Sequence, residues 1–233
     1  MNQIVLEASN LSVRYKHRLL FHIPSLKIYR GDAIYLSGPN GIGKTSLLKV
    51  LAGIQKPTTG KLNLRRPSFM QRLAGFSGHS DVIYMHQSAY LFDGTVADNV
   101  AYGLKSRPLC PKERRMITMQ ALQMIGLEHL SREHISVLSG GEKQKVAMAR
   151  AWALSPSILL MDESCANLDP NAIDAQRMMV EDLLKRGASL VITSHHPNSL
   201  TACCNQHWLI ENQSLVCKPI LNIINKDNHA FAF

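Results

Sequence analysis

Gly38, Pro39, Asn40, Gly41, Ile42, Gly43, Lys44 and Thr45 follow one another in an order suited to holding an anion. Glycines let backbone N–H groups turn inward and approach an anion closely. The spacing Gly, four residues, Gly, Lys, Ser/Thr is that of a phosphate-binding loop. In such a loop the lysine, here Lys44, reaches the outer phosphates, and the hydroxyl, here Thr45, ligates Mg²⁺. The flanks agree. Ala33-Ile34-Tyr35-Leu36 is a short apolar run that reads as a buried strand. Ser46 to Gly53 reads as a helix closed by a C-terminal glycine, with its positive end toward the anion. Gly38 to Ser46 are therefore the expected phosphate contacts.

Two further stretches could do chemistry. Ile158-Leu159-Leu160-Met161 is fully apolar and ends in Asp162-Glu163. That predicts a buried strand with carboxylates at its C-terminal tip, where open α/β sheets bind ligands. With the phosphate loop, Asp162 completes a Walker A and B pair, the mark of a nucleoside triphosphatase; it would hold Mg²⁺ through water. An Asp-Glu pair alone is often only a solvated strand end. In Leu138-Ser139-Gly140-Gly141-Glu142-Lys143-Gln144, a serine and two glycines open a helix, giving a second anion-binding N-terminus. By itself this stretch fits an ordinary capped helix equally well, since Ser139 and Glu142 make a capping box. Tyr15 ends the first β-rich run and could stack on a nucleobase. Alone, such a tyrosine is more often part of a core.

The elements that must position these groups can be read in order. Residues 3–36 read as several strands, Lys56 to Gly60 as a turn, and Lys61 to Arg65 as a strand. Residues 66–80 read as a loop, and Asp81 to Met85 as a strand leading to Gln87. From residue 88 to 153 apolar residues recur at helical spacing, with Gly126 closing one helix. Asn171 to Arg186 reads as a helix and Ala188 to Thr193 as a buried strand ending at His195, which predicts a right-handed parallel crossover. Trp208 to Ile210 and Ser214 to Val216 read as a hairpin. The expected class is α/β: a P-loop NTPase core, mostly parallel sheet with flanking helices, an N-terminal antiparallel β portion and an inserted helical subdomain. Within one domain of 233 residues, 1–87 and 154–218 form the RecA-like core, 88–153 the helical subdomain, and 219–233 a short tail.

Composition narrows the class. The chain is 45% hydrophobic, with no apolar run long enough to span a membrane and no signal-peptide pattern at its start. Five cysteines, with no CxxC, suit a reduced setting. His195, His196, Cys203, Cys204 and His207 lie close in sequence, but their spacing fits no zinc-finger pattern. The net charge of +9 suits an acidic partner, yet the basic residues are scattered, as on a solvated face near a membrane.

Together these motifs closely resemble the ABC ATPases, over residues 4 to about 216. Tyr15 falls where the family's adenine-stacking aromatic lies, and Gln87 matches the Q-loop glutamine. Ser139, Gly140, Gly141 and Glu142 match the signature. Ile158 to Glu163 match Walker B with its catalytic glutamate, Asp169 belongs to the D-loop, and His195 matches the switch histidine. Ser164, Lys145 and His196 depart from the usual residues, none at a position assigned to the chemistry. The resemblance implies two ATPs sandwiched head to tail in a homodimer, with Ser139 and Gly141 serving the partner's nucleotide. Glu163 would orient or deprotonate the attacking water. Asp162, Thr45 and Gln87 would hold Mg²⁺, and His195 would contact the γ-phosphate and water.

Three functions compete. The first is the motor of a membrane transporter, bound to permease subunits on the cytoplasmic face of the plasma membrane. The second is a soluble ATPase acting on nucleic acid, but the coiled coil or second cassette of such relatives is missing. The third is a non-hydrolysing scaffold, which commonly loses the glutamate or histidine kept here as Glu163 and His195. Transport is the reading favoured. A free-standing ATPase leans toward import, with an extracytoplasmic binding protein as an indirect partner and no specific nucleic acid. The stretch Tyr90 to Leu104 lies where the family docks its permease, and resembles that of oxyanion importers, especially the tungstate type.

Overall fold

The computed structural model describes residues 3–64, 82–163, 170–194 and 197–218. Three short apolar runs form its centre: β3 (Ala33–Ser37), β6 (Ile158–Asp162) and β7 (Ser189–Thr193). Every residue of β6 and β7 is buried, as a parallel sheet covered on both faces requires. With β5 (Val82–Met85), β8 (Gln206–Glu211) and β9 (Ser214–Lys218) they make a six-stranded sheet in the order β5-β6-β7-β3-β8-β9. All neighbours are parallel except the closing hairpin β8–β9.

Side chains alternate along these strands, so the sheet has two separate cores. On one face Ile34, Leu36, Ile158, Leu160 and Val191 pack with α1 (Lys44–Leu51) and a three-stranded antiparallel sheet. That sheet has the order β2-β1-β4, from β1 (Ile4–Tyr15), β2 (Arg18–Tyr29) and β4 (Thr59–Leu64). On the other face Tyr35, Leu159, Met161, Leu190 and Ile192 pack with the helices between β5 and β6 and with the one between β6 and β7. Those helices are α2 (Val96–Ala101), α3 (Pro111–Met124) and α4 (Gly140–Ala153), then α5 (Pro170–Lys185). Truncating a fully buried leucine such as Leu47 or Leu159 to alanine would cost about 2–5 kcal/mol.

Local differences from the sequence reading have local causes. The helix after the phosphate loop starts at Lys44, two residues earlier than Ser46, because Gly43 (φ 112°) turns the chain into it. The turn at Lys56 to Gly60 is shorter than expected: β4 already begins at Thr59, whose hydroxyl bonds Ser12 Oγ at 2.6 Å. β4 then pairs with β1 and not with the parallel sheet. The loop read at 66–80, Asp81, the D-loop Asp169, the switch residues His195 and His196, and the tail from 219 lie outside the described residues. Among the described residues no helix is long and apolar enough to cross a membrane.

Candidate functional site

The phosphate loop joins the tip of β3 to α1. Gly38 has φ 146°, and a Cβ there would stand 2.7 Å from the Ile210 carbonyl oxygen, so only glycine lets the loop pass β8. Gly43 has φ 112°, and a Cβ would press the Phe21 ring at 3.1 Å. The start of α1 has no capping side chain and no acidic residue in its first turn. By contrast α2, α3 and α4 each begin with a complete capping box. The positive end of α1 is therefore left for an external anion. Lys44 is only 8% exposed, and its Nζ donates to the carbonyls of Gly38 (2.7 Å) and Pro39 (3.3 Å). The ammonium is thus parked on the loop that it would leave for a phosphate.

Sheet order brings the second group to the first. β6 lies between β5 and β7, and Asp162 at its tip pairs with Thr193. The carboxylate is buried and accepts from three hydroxyls. Thr45 (3.2 Å) and Thr193 (3.0 Å) donate to Oδ1, and Tyr84 (2.7 Å) donates to Oδ2. Among the described residues no cation pairs with it. Burial first, and then Asp162, push the Tyr84 phenol well above its usual range. One hydroxyl and one carboxylate, both hard oxygen donors beside an anion site, are a donor set that fits Mg²⁺. Glu163 follows with φ 49°, an uncommon conformation for a side chain of its type, and its N–H donates to Thr193 Oγ1 at 2.9 Å. Thr193 therefore steadies both acidic residues.

The Ser139 stretch opens α4. Ser139 Oγ and N both donate to Glu142 Oε2 at 2.8 Å, and Glu142 N returns a bond to Ser139 Oγ. These bonds hold the Glu142 carboxyl below its ordinary range. Ser139 and Gly140 are exposed, and a Cβ on Gly140 would meet open space. One turn further on, Gln144 Nε2 donates to the Gln87 carbonyl. The Gln87 residue itself is exposed. Tyr15 is 68% exposed, as a stacking platform must be and a core tyrosine is not.

A family model for the ABC transporter matches residues 21–166. The chain belongs to the ABC transporter family. It is an ATP-binding ATPase domain of that family. Its relatives include the Fe(3+) ions import ATP-binding protein FbpC of Vibrio cholerae, 34% identical over 79% of this chain and 52% of the relative. The chain thus spans about half the length of that protein. The taurine import ATP-binding protein TauB of Pseudomonas aeruginosa is 33% identical over 84% of this chain and 73% of its own. The lipopolysaccharide export system ATP-binding protein LptB of Acidithiobacillus ferridurans is 30% identical over 89% and 87%. Among solved structures, cbiO1 from Clostridium perfringens, part of the ABC transporter complex cbiONQ, superposes with a TM-score of 0.77 over 98% of this chain and 96% of that one. At 24% identity that likeness shows the fold.

Within this ABC fold the sequence motifs found Lys44, Thr45 and Asp162, and the structure brings them together. It leaves Ser139 apart from them, on a helix packed over the opposite face of the sheet from α1. Tyr84 and Thr193 escaped the sequence reading, since nothing in their spacing marks them. Of the His and Cys residues that lie close in sequence near the C-terminus, His207 bonds Ser37 Oγ through Nε2 at 2.7 Å and stacks its ring on Tyr35. Cys204 is buried, with its thiol pushed up to about 12 by burial. Among the described residues no cluster of metal ligands occurs.

Proposed function

We propose that this chain is the ATP-hydrolysing subunit of an ABC importer, bound to a permease at the cytoplasmic face of the membrane. The observation that carries the proposal is the contact of Thr45 with Asp162 beside the uncapped start of α1. Backbone N–H groups of the Gly38 to Ser46 loop, all but that of Pro39, which has none, cradle the phosphates, and Lys44 exchanges its two loop carbonyls for phosphate oxygens. Tyr15 stacks on the adenine. Thr45, Asp162 (through water) and Gln87 would hold Mg²⁺, and its positive charge would be the chemistry supplied there, offsetting the charge of the phosphates. Glu163 orients the attacking water or takes its proton, and His195 holds the γ-phosphate and that water. Ser139, Gly140, Gly141 and Glu142 present the start of α4 to a nucleotide held by a second copy.

The permease docks on the stretch Tyr90 to Leu104. Tyr90 and Tyr102 are 73% and 51% exposed, large aromatic surface left to solvent. They flank Phe92, which packs edge-on to Tyr90 and stacks on Tyr102. The cargo is taken as an oxyanion, tungstate first, on the resemblance of this stretch. The relatives named for Fe(3+), for taurine and for lipopolysaccharide export leave that choice to experiment. The complex reconstituted with permease and binding protein is given tungstate, molybdate, sulfate, Fe(3+), taurine or an amino acid. Stimulation of ATP hydrolysis by tungstate is expected. Stimulation only by Fe(3+) or the amino acid would overturn the oxyanion and leave the transporter standing.

A further inference from the structure

We infer that Tyr84 is a positioning residue for the metal-holding carboxylate: its hydroxyl fixes the plane of Asp162 so that the group meets Mg²⁺ without rearranging. The inference rests on the reading of Asp162 as a metal holder.

Tyr84 lies on β5, opposite Leu160 of β6. Asp162 is two residues beyond Leu160 and so on the same face of the strand, within reach of a long side chain from the neighbour. The phenol uses that reach to donate to Oδ2 at 2.7 Å. A hydroxyl so close to a carboxylate makes one of the stronger kinds of hydrogen bond. The opposite oxygen, Oδ1, is held by Thr193 and Thr45. A carboxylate gripped on both oxygens cannot turn about its Cβ–Cγ bond. With Thr193 alone on Oδ1 it would still be free to swing.

The geometry leaves room for the metal. Thr45 spends its proton on Oδ1, so its oxygen lone pairs remain for a cation. Tyr84 takes one side of Oδ2, and a carboxylate oxygen accepts at two. The phenol therefore orients the carboxylate and leaves the other side of Oδ2 open to the water through which it would hold the metal. Partners of this kind typically govern metal affinity by 10–100-fold.

The test separates metal from nucleotide. Binding of a non-hydrolysable ATP analogue to the full chain is measured with Mn²⁺ and again in chelator; the ratio of the two affinities is the metal's benefit. Asp162→Asn should abolish the benefit. Tyr84→Phe, which removes one oxygen and keeps the ring, should lower it about 10-fold while the affinity in chelator stays at the wild-type value. Tyr84→Met should do the same, which separates the hydroxyl from the ring. If Asp162→Asn keeps the full benefit, the metal reading and the inference fall together. If Asp162→Asn loses it and Tyr84→Phe keeps it, the inference alone is wrong. A Tyr84→Phe chain that weakens in chelator as much as in Mn²⁺ would reduce Tyr84 to a packing residue and overturn the inference equally.

Discussion

Glu163 stands at the tip of β6 with φ 49°, a conformation that costs a residue with a Cβ roughly 1–2 kcal/mol. The bond from its N–H to Thr193 Oγ1 helps hold it there. Such strain, next to a buried carboxylate and a phosphate loop, points to a side chain aimed for a purpose. Glu163→Gln keeps the shape and removes the base, so it should bind ATP as the wild type does. Its turnover should fall at least 100-fold, the lower range for general-base loss; steady-state phosphate release checks this, and wild-type turnover would refute the role. Lys44, Thr45 and Asp162 were legible in the sequence because fixed spacing and an apolar run mark them. Tyr84 and Thr193 were not, because they reach Asp162 only through the strand order β5-β6-β7, which no local pattern encodes. Nor does any pattern announce that the residue after Asp162 turns left-handed.

At the scale of elements, the helices divide by how their N-termini are satisfied. α1 is left open, while α2, α3 and α4 are closed by Thr95 with Asp98, Cys110 with Glu113, and Ser139 with Glu142. All three acids are held below their ordinary ranges. For Asp98 the main cause is the Thr95 hydroxyl; for Glu113 and Glu142 it is a backbone N–H, of Cys110 and Ser139. A depressed carboxyl contributes stability that is present above its unfolded value, here 3.8 or 4.5. That stability is lost as pH falls through the lower folded value. Acid should therefore loosen α2 to α4 before the central sheet, one face of which is covered by α1, a helix with no such acid. Hydrogen exchange followed from pH 7 to 3 should show the amides of α2, α3 and α4 losing protection ahead of those of β3, β6 and β7. Simultaneous loss would argue against the caps. The helical character of 88–153 was legible from its apolar spacing. The early start of α1 was not, since a left-handed Gly43 replaces the usual capping signal. The attachment of β4 to β1 depends on partners about 50 residues away, beyond any local pattern.

Across the whole molecule, the two cores place the open start of α1 and the capped start of α4 on opposite faces of one sheet. α1 packs in the first core and α4 in the second. α4 also grips the intervening stretch at two points: Gln144 holds the Gln87 carbonyl, and Arg150 donates to the Tyr90 carbonyl at 2.6 Å and lies over the Phe92 ring. Motion at the exposed start of α4 would thus be passed to the aromatics of the proposed docking stretch through one rigid helix. Such a lever is useful only if something outside the chain pushes Ser139, and the proposed agent is the nucleotide on a second copy. Closure then requires Ser139 to exchange Glu142 Oε2 for a phosphate oxygen, an exchange that a γ-phosphate in place can drive and ADP cannot. Mixing two disabled chains tests this. In a dimer of Lys44→Ala with Ser139→Arg, one composite site has both native halves and the other has neither. Each variant alone has no intact composite site, so neither should form an ATP-dependent dimer. The mixture should form one, with one tightly held nucleotide, as gel filtration with labelled ATP would show. If the unaltered chain closes on ATP as a monomer and Ser139→Arg abolishes that closure, the start of α4 serves its own chain and the head-to-tail arrangement is wrong.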